Sequence, residues 1–171
     1  MSSTNRAANR ISQDDYPTPI WCVELIKQEI NFKNVQSFLE PCLGEGNIYN
    51  TIKTEVDGDW EWDEIKEGRD YLKTPCFKKF DLIVTNPPFS LALEFLQKSL
   101  GEAYTVIYLL RLNFLGSQTR KQFWNENPPS HVFVLSKRPS FTGNGTDSCE
   151  YAWFVWRGIN CMKRKPGIYV I

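Results

Sequence analysis

Asn86, Pro87, Pro88 and Phe89 close an apolar run, Leu82, Ile83 and Val84, and together they could handle a flat heterocycle that carries an amino group. The run reads as a short buried strand. Neither proline has a backbone N–H and both fix φ, so the strand cannot continue as a ladder and Asn86 is held out of the helical region. The Asn86 side-chain oxygen and nearby carbonyls are then acceptors for a ligand NH₂, and Phe89 offers an apolar face beside them. A bare Pro-Pro pair would be only a strand ending in a turn. The surrounding residues are what favour chemistry.

Upstream, Glu40, Pro41, Gly44 and Gly46 follow a second apolar stretch, 35–39, and precede a helical pattern that begins near Ile48. Strand, acid, glycine turn and helix make the first βα unit of a Rossmann-like sheet, and the glycines let backbone approach a ligand closely. The spacing is not that of a dinucleotide fingerprint and no Walker lysine is present, while Glu40 and Glu45 would repel a polyphosphate. A cationic, hydroxyl-bearing cofactor suits this turn better. Further acids follow a short strand through Trp60 and Trp62. A carboxylate at a strand end can bridge two ribose hydroxyls, a role that falls to Glu64 with Asp63 in reserve. Asp70, in the next turn, could accept from an adenine amino group. Each of these acids could equally belong to a solvated loop.

The elements that must carry these residues can be read in order. Tyr16, Pro17, Thr18 and Pro19 form an extended turn, with Thr18 either the N-cap of the following helix, Pro19 taking its first position, or a ligand contact. Ile20, Val23, Ile26 and Ile30 recur as one helical face. The strand ending at Asn86 reads as the fourth, continued by a helix over 91–100 that Gly101 stops. Residues 105–110 form a fifth, doubly covered strand. Residues 111–130, basic and aromatic, read as a short helix and loop over the sheet's carboxyl edge. Strands at 131–135 and 151–156 pair as a terminal antiparallel hairpin, with a mobile turn at Gly143, Asn144 and Gly145 between them. His131 reads as an ordinary strand residue.

Composition sets outer bounds. The chain has 171 residues, 42% hydrophobic and 23% charged, enough for one domain with a real core. Residues 1–13 read as a flexible polar tail and 14–171 as a single catalytic domain. No apolar run approaches a membrane span or a signal peptide, so a soluble, cytoplasmic protein is expected. Five cysteines without a CxxC pair, and one histidine, argue against zinc and for reduced, mostly buried thiols. Lys plus Arg and Asp plus Glu both total 20, so no global field draws the chain to nucleic acid. Local basic groups exist at Arg111, Arg120 and Lys121, at Lys137 and Arg138, and at Arg157 with Lys163 to Lys165.

These motifs, in this order, resemble the S-adenosylmethionine-dependent amino methyltransferases, specifically the small phage-type DNA adenine-N6 enzymes. The resemblance rests on YPTP at 16–19, EPCLGEG at 40–46, EGRDYL at 67–72, NPPF at 86–89, and RPSFTGNGTD followed by YAWFVW. It implies an α/β Rossmann-like methyltransferase fold: a mostly parallel seven-stranded sheet whose seventh strand is antiparallel. It implies S-adenosylmethionine as cofactor, held by Tyr16, Thr18, Pro19, Glu40, Pro41, Gly44 and Gly46, with Glu64 on the ribose, Asp70 on the adenine and Asn86 close by. Asn86 and Pro87 would accept from the target amine, Phe89 with Pro88 would hold an extruded adenine of DNA, and Phe141 would form the opposite wall. Arg111, Asn113, Lys137 and Arg138 would meet the nucleic acid, in a bacterial host or its phage. Cytosine-N4 or RNA adenine-N6 methylation, or a silent nucleic-acid-binding subunit, are the competing readings. With no room for a target-recognition domain, site recognition is short, relaxed, or shared with a second copy or partner subunit.

Overall fold

The computed structural model describes residues 17–141 and 147–171. Tyr16, the 1–13 tail and the Gly143, Asn144 and Gly145 turn lie outside the described residues. In chain order the elements are α1 (Ile20–Glu29), β1 (Ser37–Glu40), α2 (Asn47–Lys53), β2 (Asp59–Trp62), β3 (Phe80–Thr85), α3 (Ala92–Glu102), β4 (Ala103–Arg111), α4 (Lys121–Glu126), β5 (His131–Val134), β6 (Tyr151–Trp156) and β7 (Gly167–Val170). They form one seven-stranded sheet in the order β2-β1-β3-β4-β6-β5-β7, in which β6 alone runs antiparallel to its neighbours. This is the α/β, Rossmann-like, mostly parallel sheet that the resemblance implied, with an antiparallel hairpin at β5 and β6.

The seven strands are not the seven expected. Only two strands precede β3, because residues 63–79 hold a 3₁₀ turn at Ile65–Glu67 and no strand. The Asp70 carbonyl there accepts from the backbone N–H groups of Lys73 and Thr74, which curls the chain just before Pro75 removes a ladder donor. The seventh strand is instead β7, at the edge beside β5 and parallel to it. The antiparallel strand is therefore sixth in chain order, and the hairpin is followed by one more strand.

Central strands read as continuous apolar runs because both faces are covered. In β6 every residue is buried, Trp153 and Trp156 included. A fully buried apolar side chain of this kind contributes about 1.5–3 kcal/mol. One face packs α1 and α2 on Phe38, Val84, Ile107 and Trp153. The other packs α3 on Ile83, Tyr108 and Trp156. Several buried polar groups between them are paired: Trp153 Nε1 donates to the Cys22 carbonyl at 3.1 Å, and Ser99 Oγ sits 2.8 Å from Tyr71 Oη and 2.6 Å from Tyr108 Oη.

Several local expectations are corrected. Pro19, not Thr18, is the N-cap of α1, and no side chain caps that end. Ile20 is 56% exposed, so the buried face of α1 is Cys22, Val23 and Ile26, continued by Ile30. Gly101 lies inside the last turn of α3, which runs on to Glu102. The aromatic part of 111–130 does not cover the carboxyl edge. Trp124 stacks on Trp156 at 6.0 Å, and Trp156 pairs with Val106 near the start of β4, so α4 descends toward the amino edge. Of the cysteines, Cys22 and Cys161 are buried, Cys42 and Cys149 half-buried and Cys76 exposed, all as free thiols.

Candidate active site

The sheet order reverses at β1. Chain runs from β1 outward to β2, then returns to β3 on the other side, and the helices that follow β1 and β3 lie on opposite faces. Their carboxyl ends therefore splay apart and leave a crevice, the place where open α/β sheets bind ligands. Glu40 is the last residue of β1 and Asn86 follows the last residue of β3. A cavity of about 960 Å³ opens between them.

Among the expected residues, Thr18, Glu40, Pro41, Gly44, Glu64, Asp70, Asn86, Pro88, Phe89 and Arg111 line this cavity. Pro87 is buried behind the turn, and Gly46 sits beneath it at φ 77° as the N-cap of α2. Pro19, Asn113, Lys137, Arg138 and Phe141 lie off the cavity wall. Lys137 Nζ stands 5.5 Å from the Trp21 ring centroid, Arg138 is ion-paired with Glu150, and Phe141 is buried edge-on against Tyr151 at 5.1 Å. Asn113 is exposed in a 3₁₀ turn.

Glu40 is 1% exposed, and its Oε2 has no hydrogen-bond partner among the described residues. Burial pushes its carboxyl well above the usual carboxylate range; a backbone hydrogen bond from Tyr49 opposes this and the nearby Glu64 charge adds to it. An unsatisfied buried carboxylate is costly, so this oxygen is poised for a cationic donor. The glycine turn beside it is held open by left-handed backbone at Gly44, φ 50°, and Gly46. Glu64 ties the loop after β2 to the glycine turn after β1: Oε2 accepts from Gly44 N–H at 2.9 Å and Oε1 from Lys66 N–H at 3.1 Å. Each oxygen keeps a second lone pair for a hydroxyl. Asp63, the reserve, faces elsewhere and is paired with Arg69 Nε at 3.2 Å. Asp70 bonds Lys73 Nζ at 2.9 Å, which holds its carboxyl below the usual range.

On the other side of the cavity, Asn86 Nδ2 donates to Thr18 Oγ1 at 3.1 Å. That bond assigns the amide's carbonyl end to the acceptor role. Thr18 is itself fixed, since its carbonyl accepts from Asn47 Nδ2 at 3.0 Å. The Arg111 guanidinium lies over the Phe89 ring, 4.5 Å from its centroid. Cys42 also lines the cavity, but burial pushes its thiol well up, so it is an inert wall.

Sequence reasoning passed over Ile65, Leu72, Asn47 and Arg69, all on the cavity wall. Ile65 had a readable signal, an apolar residue directly after the acid that ends the second strand and 70% exposed in the structure. It also missed Asp147 and Tyr151, whose bonds to Arg111 depend on an antiparallel register that pairs Tyr151 with Arg111.

No protein-family model and no curated protein sequence matches the chain. Solved structures do. A protein assigned to the class I S-adenosylmethionine-dependent methyltransferases from Listeria monocytogenes superposes with TM-score 0.62 at 13% identity, over 90% of this chain and 64% of that one. One assigned as a modification subunit of a type I restriction enzyme from Vibrio vulnificus gives 0.66 at 14%, over 91% and 47%. One assigned as an RNA methyltransferase from Pyrococcus horikoshii gives 0.63 at 12%, over 82% and 86%. The chain thus spans 64% and 47% of the first two structures it resembles. The chain shares the Rossmann-like fold of these structures.

Proposed function

We propose that this chain transfers a methyl group from S-adenosylmethionine to the exocyclic N6 amine of adenine in DNA, with the base turned out of the helix. The carrying observation is the pairing, across one cavity, of a buried carboxylate oxygen lacking a donor with an asparagine whose amide is oriented by Thr18. The residues fit the cofactor. Glu40 would receive its ammonium, Glu64 its ribose hydroxyls, Asp70 its adenine amine, and Ile65 and Leu72 its purine faces, with the backbone of Gly44 close to the methionine part. S-adenosylmethionine, when bound, supplies an electrophilic methyl on sulfur.

The rest is the work of the chain. An aryl amine is a poor nucleophile because its lone pair is conjugated into the ring. Asn86 Oδ1 and the Pro87 carbonyl accept its two hydrogens, favour a tetrahedral nitrogen and localise the lone pair. Phe89 holds the ring so that the pair faces the methyl. Positioning and preorganised acceptors carry the rate. Extruding the base costs roughly a few kcal/mol, which stacking on Phe89 partly offsets.

The relatives' descriptions include both a DNA-modification subunit and an RNA methyltransferase, and NPPF engages an amine on a ring irrespective of the sugar. Incubation with labelled cofactor and DNA, RNA or oligonucleotides of each, followed by nucleoside analysis, separates N6-methyladenine in DNA from N4-methylcytosine and from RNA products. Label in no polymer would overturn the proposal in favour of a silent binding subunit.

A further inference from the structure

The methyltransferase reading leaves Asp147 and Tyr151 without a role. Tyr151 opens β6 and, because that strand is antiparallel, pairs with Arg111 at the end of β4. Arg111 Nε donates to Tyr151 Oη at 2.9 Å and Arg111 Nη2 to Asp147 Oδ2 at 3.2 Å. Tyr151 Oη donates to the same Oδ2 at 2.8 Å, closing a ring of three hydrogen bonds. The other carboxylate oxygen accepts from Cys149 N–H at 3.1 Å, and Asp147 N–H donates to the Pro139 carbonyl at 3.0 Å. Asp147 is thus fixed from the backbone side and fixes Arg111 in turn.

This ring has a directed effect. Arginine on its own carries large rotamer freedom, and a guanidinium at a cavity mouth would sample solvent. Here it is tied at two nitrogens and lies over the Phe89 ring. Tyr151 supports the same ring from 6.0 Å, with Phe141 behind it. Arg111 lines the cavity, whereas Asp147 and Tyr151 do not. Their influence on a ligand must pass through Arg111 and Phe89. The Asp147 side chain is only 17% exposed, so the charge-assisted bonds are weakly screened. Desolvation alone would raise its carboxyl, but the Tyr151 hydroxyl, the Cys149 N–H and Arg111 outweigh it and hold Asp147 ionised to below the usual range.

We infer that Asp147, with Tyr151 as second anchor, is a positioning residue for the acceptor: it pins Arg111 against Phe89 and so presets the wall that receives the incoming base. The role rests on the methyltransferase reading and concerns the acceptor side alone.

Steady-state methyl transfer to the wild type's best polymer, with cofactor affinity measured by calorimetry, tests it. Asp147→Ala raises the polymer KM by about tenfold or more with cofactor affinity unchanged. Asp147→Asn, whose amide oxygen can still accept from Arg111 and Tyr151 while its NH₂ cannot accept from Cys149 N–H, recovers only part of that loss, and Tyr151→Phe also loses part. In an Arg111→Ala background, Asp147→Ala adds no further loss, which a merely structural role would not produce. Should Asp147→Ala fail to fold by thermal melt, Asp147→Asn and Tyr151→Phe decide with the same readouts. An unchanged polymer KM, a loss of cofactor affinity, or full additivity with Arg111→Ala would overturn the inference while leaving the activity standing. A wild type inactive on every polymer would overturn both.

Discussion

Asn86 Nδ2 and Thr18 Oγ1 meet at 3.1 Å although 68 positions separate them in the chain. The bond joins the turn ahead of α1 to the turn after β3, and it fixes which end of the amide faces the cavity. The acceptor geometry therefore depends on a residue whose sequence context looks like helix capping.

Thr18→Val should test that dependence. It keeps the shape of the side chain but leaves Asn86 Nδ2 without its acceptor, a loss of about 1–3 kcal/mol at a buried site. Single-turnover methyl transfer should slow by about tenfold, since about 1.4 kcal/mol corresponds to one decade, and Thr18→Ser should restore it. A Val variant with wild-type rate would show that Asn86 orients itself.

Asn86→Ala should remove methyl transfer by at least about a hundredfold, the scale of losing a preorganised polar group at a reacting atom. Cofactor affinity, measured by calorimetry, should stay near that of the wild type. Parallel loss of both would move Asn86 from the amine to the cofactor.

Glu40→Gln separates stability from binding. The folded-state pKa of Glu40 is raised, so between the ordinary carboxylate pKa and the raised value the unfolded chain has released a proton that the folded chain keeps. Wild-type stability therefore falls as pH rises through that window, and the Gln variant lacks the fall. Thermal melts should show Glu40→Gln gaining on the wild type from pH 4 to pH 8, while its affinity for S-adenosylmethionine drops by about tenfold or more, at about 1.4 kcal/mol per decade. Cofactor binding to the wild type should release protons, read as a dependence of calorimetric heat on buffer ionisation enthalpy. Unchanged affinity in the variant would remove Glu40 from the cofactor site.

Two glycines should respond with opposite sign. A Cβ on Gly58 would stand 2.1 Å from the Gln36 carbonyl oxygen, which also accepts from Asp59 N–H at 2.8 Å and sets the entry of β2 beside β1. Gly58→Ala should cost roughly 3 kcal/mol or more in denaturant unfolding. Gly101, helical and with nothing within 4 Å of an added Cβ, should gain about 0.5–1 kcal/mol as Ala. Equal changes at the two sites would contradict both packing assignments.

Legibility in the sequence followed the reach of the interaction. The apolar run of β3 and its Asn-Pro-Pro ending, and the Glu40 to Gly46 turn, are local patterns and could be read where they stand. Thr18 could not, because a cap and a partner to a distant amide present the same threonine before a proline. β7 escaped notice because its pattern alternates exposed Ile168 and Val170 with half-buried Gly167 and Tyr169, which gives a weak inward signal in four residues. The polar, aromatic stretch with Phe123 and Trp124 read as a helix and loop over the carboxyl edge, but Trp124 stacks on Trp156, and only the antiparallel register of β6 places that residue near the amino edge. Arg111 was readable as a candidate nucleic-acid contact; its anchoring by Asp147 and Tyr151 was not readable.

The reversal of β6 also bears on how this fold can accept change. Chain leaves the carboxyl edge at Leu135 and returns at Tyr151, and Leu135 N–H donates to the Tyr151 carbonyl at 2.9 Å. Departure and return are thus stapled together at the carboxyl edge of the sheet. Peptide spliced between those two residues starts and finishes at one point, and doubling its length costs only about 0.6 kcal/mol of closure entropy. The hairpin is a socket: the peptide between those two residues can be lengthened or exchanged while the pairing of β5 with β6 stays as it is.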